Sequence, residues 1–120
     1  MNRGHLLNIL IVEDEVLLAY DLADLLEDLG HRIVGPGMSA AAALGLIADH
    51  TVDLAVLDFN LREETSAPVA DALAERGIPF FFLTGYRRDA LPERFSDRVV
   101  LAKPVRTSEL SSALRVIAPQ

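Results

Sequence analysis

The chain has 120 residues, of which 51% are hydrophobic and 24% charged, and its formal net charge is −7. These values predict one globular domain and argue against a disordered chain. The acidic balance makes nucleic acid and anionic membranes poor partners, because both are bound through clustered Lys and Arg. The absence of cysteine excludes disulfides, thiol nucleophiles and thiolate metal sites. The apolar runs are too short to span a membrane and no secretory cleavage site follows the first one, so we expect a cytoplasmic protein.

The first predicted strand and helix lie in the N-terminal quarter of the chain. Leu7–Val12 is short, β-branched and followed by acidic residues, which predicts a buried strand. Leucines then recur at helical spacing from Leu18 to Leu29, with acidic residues on the other faces. Gly30 is expected to end this helix, because glycine readily adopts the left-handed conformation found after helix C-termini.

The second strand and helix follow directly. Arg32–Gly35 predicts a short strand, and the glycines and proline of Gly35-Pro36-Gly37 are expected to break the chain after it. Ser39 then has the side chain of a helix N-cap, at the start of an Ala-rich helix that continues through Ala48.

The middle of the chain contains the third strand and helix. Val52–Leu57 predicts a buried strand, and the polar segment Asn60–Ala67 predicts a loop. Thr65 or Ser66 is placed to cap the next helix, which is expected to end at Gly77.

The last third of the chain repeats the pattern twice. Ile78–Leu83 and Val99–Ala102 predict two more strands. Between them Asp89–Phe95 contains a proline, so we expect a short or irregular helix there. Thr107 is placed to cap a final amphipathic helix over Ser108–Ile117.

Five strand–helix pairs joined by short loops predict an α/β fold with a parallel sheet covered on both faces. We expect a flavodoxin-like, doubly wound five-stranded sheet of order 2-1-3-4-5, with about five helices of which the fourth is short or irregular. In such sheets ligands bind at the carboxyl ends of the strands.

Charged or hydroxyl side chains follow four of these strands, at the edge where ligands are expected. Glu13 and Asp14 follow the first strand, Asp58 the third, Thr84 the fourth and Lys103 the fifth. Neighbouring carboxylates repel one another, and Mg²⁺ removes that penalty because it prefers carboxylate, carbonyl and water oxygens. A lysine ammonium suits a phosphoryl oxygen. The pattern predicts a magnesium and phosphoryl site at this edge.

Each of these residues also has an ordinary explanation when it is taken alone. Asp14 could cap the first helix, a lone aspartate is common at a strand end, and Thr-Gly and Lys-Pro are ordinary turn sequences. Their joint occurrence on four strand ends is hard to explain in this way. The three histidines show no ligand spacing and are expected at the surface: His5, His31 and His50.

The chain resembles the receiver domain of two-component response regulators. The resemblance runs from about Asn8 to the last helix and rests on four motifs: LIVEDE at Leu10–Glu15, VLDFNL with Asp58, FLTGY with Thr84 and AKP with Lys103. The segment Phe82-Leu83-Thr84-Gly85-Tyr86 further resembles a subgroup of stand-alone receivers with a Phe-x-Thr-Gly-Tyr (FATGUY-type) motif.

This resemblance implies a role for each residue at the predicted site. Asp58 would accept a phosphoryl group, Thr84 would donate a hydrogen bond to it and Lys103 would pair with it. Four groups would hold Mg²⁺: Glu13, Asp14, Asp58 and the backbone carbonyl of Asn60. The implied chemistry is limited to Mg-dependent self-phosphorylation and autodephosphorylation of Asp58.

The resemblance also implies partners and an output. The phosphoryl donor would be a sensor histidine kinase, with the HWE/HisKA2 type as one candidate, or a histidine phosphotransfer protein. Only Ala118-Pro119-Gln120 follow the last predicted helix, so we expect a single receiver domain over residues 1–120 without an effector domain. Such a domain would act through protein–protein contacts or as a phosphate sink, as a monomer or weak dimer.

One departure from typical receivers concerns the predicted switch region, which comprises Gly85, Tyr86, Val100 and Pro104. Typical receivers carry an aromatic switch residue three positions before the lysine, where this chain has Val100. We therefore hypothesise that phosphorylation orders the segment 85–95 and packs Tyr86 beside the site. The Lys103-Pro104 peptide bond is predicted to be cis, as the resemblance implies.

Two other functions fit parts of the pattern. A haloacid-dehalogenase-like phosphatase also uses a strand-end aspartate with Mg²⁺, but its second acidic residue would fall at Asn60, which cannot transfer a proton at neutral pH. A phosphorylation-independent interaction module would be expected to have lost one of the site residues, and none is lost.

Overall fold

The structure, a computed structural model, describes residues 6–85 and 91–118. Within these ranges the helices and strands follow in the order β1 (Asn8–Val12), α1 (Val16–Asp28), β2 (Arg32–Gly37), α2 (Ala40–Asp49), β3 (Leu54–Asp58), β4 (Asn60–Leu61), β5 (Glu64–Thr65), α3 (Ala67–Glu75), β6 (Phe80–Thr84), β7 (Val100–Ala102) and α4 (Thr107–Ile117). A single 3₁₀ turn, Glu93–Phe95, precedes β7.

The five longer strands form one parallel sheet of order β2-β1-β3-β6-β7. This confirms the predicted order, because β4 and β5 pair only with each other outside the main sheet. Helices α1 and α4 pack on one face of the sheet, and α2 and α3 pack on the other. The fold is therefore doubly wound, and the carboxyl ends of β1, β3, β6 and β7 lie along one edge.

The central strands are buried throughout. All five residues of β3 and all five of β6 are buried, as expected for parallel strands covered by helices on both faces. The ring of Phe82 on β6 contacts Phe59 and Phe95, with ring centroids 5.6 and 5.4 Å apart. Burial of each phenylalanine side chain contributes roughly 1.5–3 kcal/mol to the free energy of unfolding. This core holds the ends of β3 and β6 in fixed positions.

No helix in the described part of the chain is long and apolar enough to cross a membrane.

The predicted break at Gly35-Pro36-Gly37 is wrong, because β2 continues through it to Gly37. The pairing of β1 with β2 shifts register between Leu10 and Val12, which accommodates the extra residue. Gly35 has a φ of +100°, and a Cβ there would lie 2.7 Å from the backbone nitrogen of Gly37. Glycine at this position therefore permits the bulge and does not end the strand.

The polar segment predicted as a loop contains the β4–β5 hairpin, in which Asn60 pairs with Thr65. A long-range hydrogen bond holds the hairpin against the domain, and a local one closes its base. The Glu64 carboxylate accepts a hydrogen bond from the Ala40 N–H at 3.0 Å, at the start of α2. The Ser66 N–H donates to the carbonyl of Phe59 at 2.9 Å. The hairpin is thus fixed directly after the end of β3.

Helix caps agree with the sequence in part. The Ser39 hydroxyl accepts the Ala42 N–H at 3.1 Å, and Thr65 Oγ1 accepts the Ala67 N–H at 3.3 Å. The predicted Thr107 cap is wrong: Thr107 is the first residue of α4, and the Arg106 N–H instead donates to the Glu109 carboxylate at 3.0 Å. The described part of the expected fourth helix is the 3₁₀ turn.

His31 is half-buried and does not belong with the surface residues. Its Nδ1 accepts the Leu7 N–H at 3.2 Å, at the start of β1. Burial lowers the pKa of His31. A histidine whose folded pKa is depressed takes up protons more readily in the unfolded state. Its contribution to stability is therefore present above its unfolded pKa and is lost as pH falls below that value.

His31→Gln is expected to flatten the acid side of the stability profile. Between about pH 7 and pH 5 the free energy of unfolding of the parent should fall more steeply than that of His31→Gln. Chemical denaturation at several pH values measures both slopes. His50→Gln is the matched control, because His50 is exposed on the C-terminal end of α2. Equal slopes for the parent and His31→Gln would contradict this role of His31.

Candidate functional site

Backbone pairing at the carboxyl edge of the sheet positions the predicted site residues. Asp58 is the last residue of β3, and the next N–H, of Phe59, donates to the Leu83 carbonyl at 3.1 Å. The Lys103 N–H donates to the Thr84 carbonyl at 3.0 Å, which places Lys103 directly after β7 and beside the end of β6. Neighbouring parallel strands therefore bring these side chains to one place.

Three carboxylates meet at this edge. Glu13, Asp14 and Asp58 each offer an oxygen within 4.8 Å of the others. Glu13 is 1% exposed and Asp58 is 4% exposed, while Asp14 lies further out. One Glu13 oxygen also accepts the Glu15 N–H at 3.1 Å, which fixes the carboxylate at the start of α1. We call Glu13, Asp14 and Asp58 the carboxylate triad.

Lys103 bridges two members of the triad. Its Nζ lies 3.2 Å from Glu13 Oε1 and 3.1 Å from Asp58 Oδ2. Burial acts to lower the pKa of Lys103, but the charges and hydrogen bonds of Asp58 and Glu13 outweigh burial and raise it. Lys103 is the single lysine in the sequence. The ammonium therefore stays protonated at neutral pH and partly balances the two buried carboxylates.

Asp58 differs from an ordinary surface aspartate. Burial, followed by the charge of Glu13, raises the pKa of Asp58 to about 6, although Lys103 opposes the shift. The carboxylate is thus largely ionised at neutral pH, but in an environment that disfavours its charge. Any change that neutralises the Asp58 carboxylate, such as bond formation or cation binding, is therefore favoured.

Asp14 has a cation of its own that the sequence analysis did not anticipate. The Arg62 Nε, at the tip of the β4–β5 hairpin, lies 3.5 Å from Asp14 Oδ2. The sequence gives only a weak indication of this contact, because an arginine in a polar segment is ordinarily solvated. Its placement depends on the hairpin contact between Glu64 and Ala40, which has no local sequence pattern.

The remaining predicted residues surround the triad. A cleft of about 250 Å³ opens beside Asp58 and Lys103, and Asn60 and Gly85 line it. Thr84 is buried at the end of β6. The structure thus places Asn60, Thr84 and Gly85 at the same edge of the sheet as the triad.

The switch region is placed only in part. Val100 lies opposite Phe82 on β7 and packs, half-buried, against the core on the α2 and α3 side of the sheet. The Lys103–Pro104 bond is cis, which confirms that prediction. Tyr86 lies outside the described residues. Phe95 is already buried, and Arg94 forms a bidentate ion pair with Asp71. The hypothesis that phosphorylation orders the segment 85–95 stays a prediction.

The donor set of the triad fits a hard divalent cation. Three carboxylate oxygens within reach of one point, two of them from buried residues, match the oxygen ligands that Mg²⁺ prefers. The pKa of Asp58, raised first by burial and then by the charge of Glu13, points the same way, because a bound cation would stabilise the ionised carboxylate. The residues present therefore fit the magnesium ion predicted from the sequence.

Comparison with known protein families shows to which family the chain belongs. The family described as response regulator receiver domain matches residues 9–115. The chain belongs to this family. Within it, the receiver domain is similar to SdrG from Sphingomonas melonis Fr1, whose solution structure superimposes with a TM-score of 0.83 at 47% identity, over 96% of this chain and 97% of that one. A solution structure of the BeF3-activated conformation of SdrG, from Pseudomonas melonis Fr1, gives a TM-score of 0.79 at 46% identity, over 92% and 96% of the two chains.

A curated relative extends beyond the matched region. The receiver domain is 32% identical over 112 residues to the transcriptional regulatory protein PdtaR of Mycobacterium tuberculosis, covering 90% of this chain and 55% of that protein. The chain thus spans about half the length of this curated relative. The similarity covers the fold and the strand ends that carry the site.

Proposed function

We propose that this receiver domain accepts a phosphoryl group on Asp58 from a phosphohistidine of a partner protein. One observation carries the proposal: the Asp58 carboxylate lies at the end of β3, beside an open cleft, 3.1 Å from the Lys103 ammonium and within the carboxylate triad. A carboxylate is a competent phosphoryl acceptor, and the transfer needs mainly positioning and charge neutralisation. The position of Asp58 and its contact with Lys103 support both requirements.

In the proposed step, an Asp58 carboxylate oxygen attacks phosphorus, the new P–O bond forms and the P–N bond to histidine breaks. The histidine nitrogen leaves with the bonding electron pair. Lys103 then pairs with a phosphoryl oxygen, since its raised pKa keeps it protonated. The Thr84 hydroxyl donates a hydrogen bond to a second phosphoryl oxygen, as the family resemblance implies.

Glu13, Asp14, Asp58 and the carbonyl of Asn60 would hold Mg²⁺ in this proposal. When bound, the ion supplies positive charge that offsets the negative charge on the carboxylates and the phosphoryl group. Glu13 and Asp58 share Lys103, whereas Asp14 lies at the outer side of the triad. Asp14 is therefore the residue through which cation binding is most readily tested.

Millimolar-range Mg²⁺ is expected to raise the Tm of this domain, because it relieves repulsion within the triad and binds the folded state. Asp14→Ala should remove most of that rise. Thermal unfolding at low ionic strength, with and without Mg²⁺, measures both effects. Asp28→Ala is the matched control: it removes one exposed carboxylate at the end of α1 and should leave the Mg²⁺ response intact. A parent Tm that Mg²⁺ does not change would speak against the cation site.

The partner is proposed to be a sensor histidine kinase, with the HWE/HisKA2 type as one candidate, or a histidine phosphotransfer protein. Exposed apolar side chains on α1, the helix whose Leu18 lines the cleft, support contact with another protein: Leu17 is 79% exposed and Tyr20 is 55% exposed. The output is proposed to be a protein–protein contact or a phosphate sink. The BeF3-activated form of SdrG supports a conformational response in a similar domain.

Acetyl phosphate tests the proposal without a kinase. Incubation with acetyl phosphate and Mg²⁺ should produce one labile phosphoryl modification in the parent. Turnover of p-nitrophenyl phosphate separates the phosphatase alternative, because a receiver should not hydrolyse this ester at an appreciable rate. Multiple turnovers of the ester without a stable modification would favour the phosphatase.

A further inference from the structure

Two cations divide the carboxylate triad between them. Lys103 contacts Glu13 and Asp58, and Arg62 lies 3.5 Å from Asp14, the remaining carboxylate. The Arg62 side chain is 82% exposed, so its guanidinium approaches the triad from solvent. The structure thus shows each carboxylate of the triad beside a positive group.

The position of Arg62 is set by the backbone to which it belongs. Arg62 follows β4 at the tip of the β4–β5 hairpin, and the hairpin is held by the hydrogen bond from Ala40 to Glu64 and by that from Ser66 to Phe59. A cleft separate from the one at Asp58 lies between this tip and the start of α2, with Asp14, Ser39 and Arg62 among its lining residues. The hairpin thus keeps the backbone of Arg62 within reach of Asp14, while the side chain remains largely in solvent.

We propose that Arg62 competes with the divalent cation for Asp14 and so weakens Mg²⁺ binding at the site. This inference rests on the proposed function, because it concerns the same cation site. The guanidinium contacts Asp14 Oδ2, an oxygen that is otherwise open to a metal ion, and the positive charges of Arg62 and a divalent cation at the same carboxylate repel one another. Arg62 is mostly solvated, so it can withdraw from Asp14 without unfolding the hairpin. Arg62 therefore sets the Mg²⁺ concentration at which the domain becomes competent for phosphorylation.

The test is a Mg²⁺ titration of the full chain followed by ¹H–¹⁵N NMR at low ionic strength. Arg62→Ala should lower the Kd for Mg²⁺ by about three- to tenfold, as expected for removing one unit charge near a divalent ion in a mostly aqueous setting. Arg62→Lys should stay within about twofold of the parent, because it keeps the charge. Arg115→Ala is the control and should leave the Kd unchanged, since it removes the same charge from an exposed position on α4.

Two further measurements, one at higher ionic strength and one on a variant of the triad, show whether the effect of Arg62 is electrostatic and acts at this cation site. The difference between the parent and Arg62→Ala should shrink as ionic strength rises, because exposed charges are screened. Asp14→Ala should lose most Mg²⁺ affinity with or without Arg62. If the parent binds Mg²⁺ and Asp14→Ala does not, an unchanged or weaker affinity in Arg62→Ala overturns the inference alone. If the parent itself fails to bind Mg²⁺ in the millimolar range, both the inference and the proposed cation site fail.

Discussion

Asp58→Asn is expected to abolish phosphorylation by acetyl phosphate and at the same time to stabilise the domain at neutral pH. The amide keeps the shape of the side chain but has no anionic oxygen to attack phosphorus. The stabilisation follows from the pKa of Asp58, which burial and Glu13 raise to about 6 in the folded state. Such a group binds its proton more tightly in the folded than in the unfolded protein. Stability is therefore lost as pH rises through the interval up to about 6, and the full cost is present at pH 7.

A shift of this size corresponds to at most about 3 kcal/mol at neutral pH. That limit already includes the attraction of Lys103, which opposes the rise in pKa. An amide does not reproduce every contact of a protonated carboxyl group, so we expect a net rise of roughly 1–2 kcal/mol in the free energy of unfolding. The gain should shrink at about pH 4, where Asp58 is protonated in the parent. Asp28→Asn, on the exposed end of α1, is the control for the charge change.

The same variant reports on the contact between Asp58 and Lys103. Because Lys103 is the single lysine in the chain, its side-chain NMR signals have an unambiguous assignment. Asp58→Asn removes a charge that raises the pKa of Lys103, so the titration of Lys103 should move to lower pH. A variant that is still phosphorylated, is less stable than the parent at pH 7, or leaves the Lys103 titration in place would contradict this account of Asp58.

Lys103→Met is expected to slow phosphorylation severely and to destabilise the fold. The variant retains most of the aliphatic volume but leaves Glu13 and Asp58 buried without their shared cation. Removing one partner of a buried ion pair typically costs about 3–5 kcal/mol, and partial exposure of Lys103 places the expected loss near the lower end. The loss should be smaller below about pH 5, because protonation of Asp58, whose pKa is raised to about 6, removes part of the unbalanced charge.

Chemical denaturation at about pH 7 and pH 5 measures this pH dependence for Lys103→Met. Lys103→Arg is the companion variant, because it keeps a positive charge at the position and should recover much of the stability. A Lys103→Met protein as stable as the parent at both pH values would show that Lys103 does not balance the triad.

The strand-end residues could be predicted from sequence because local patterns determine them. The apolar segments before Glu13, Asp58 and Thr84 are short and buried, and the one before Lys103 is short and partly exposed at the sheet edge. Strand–helix alternation then leaves few possible sheet orders. Once the order is known, the carboxyl ends must meet at one edge. The structure brings these side chains together for that reason, and the family match extends over them.

The features that sequence reasoning missed depend on contacts between distant residues. The β4–β5 hairpin has no alternation of apolar and polar residues, and it is held by Glu64 at the start of α2. The approach of Arg62 to Asp14 follows from that hairpin. In the sequence, Gly35 and its neighbours predict the end of a strand, whereas in the structure the bulge between β1 and β2 requires glycine there. His31 likewise becomes half-buried only in the folded protein, where its Nδ1 accepts the N–H of the distant Leu7.

The central claim is that Asp58 is the phosphoacceptor, and chemical trapping of the modified residue tests it most directly. The parent is incubated with acetyl phosphate and Mg²⁺, reduced with borohydride, which converts an aspartyl phosphate to homoserine, and digested for peptide mass spectrometry. Our account predicts homoserine at position 58, in an amount that depends on Mg²⁺. Reduction at another carboxylate, with Asp58 unchanged, would contradict it.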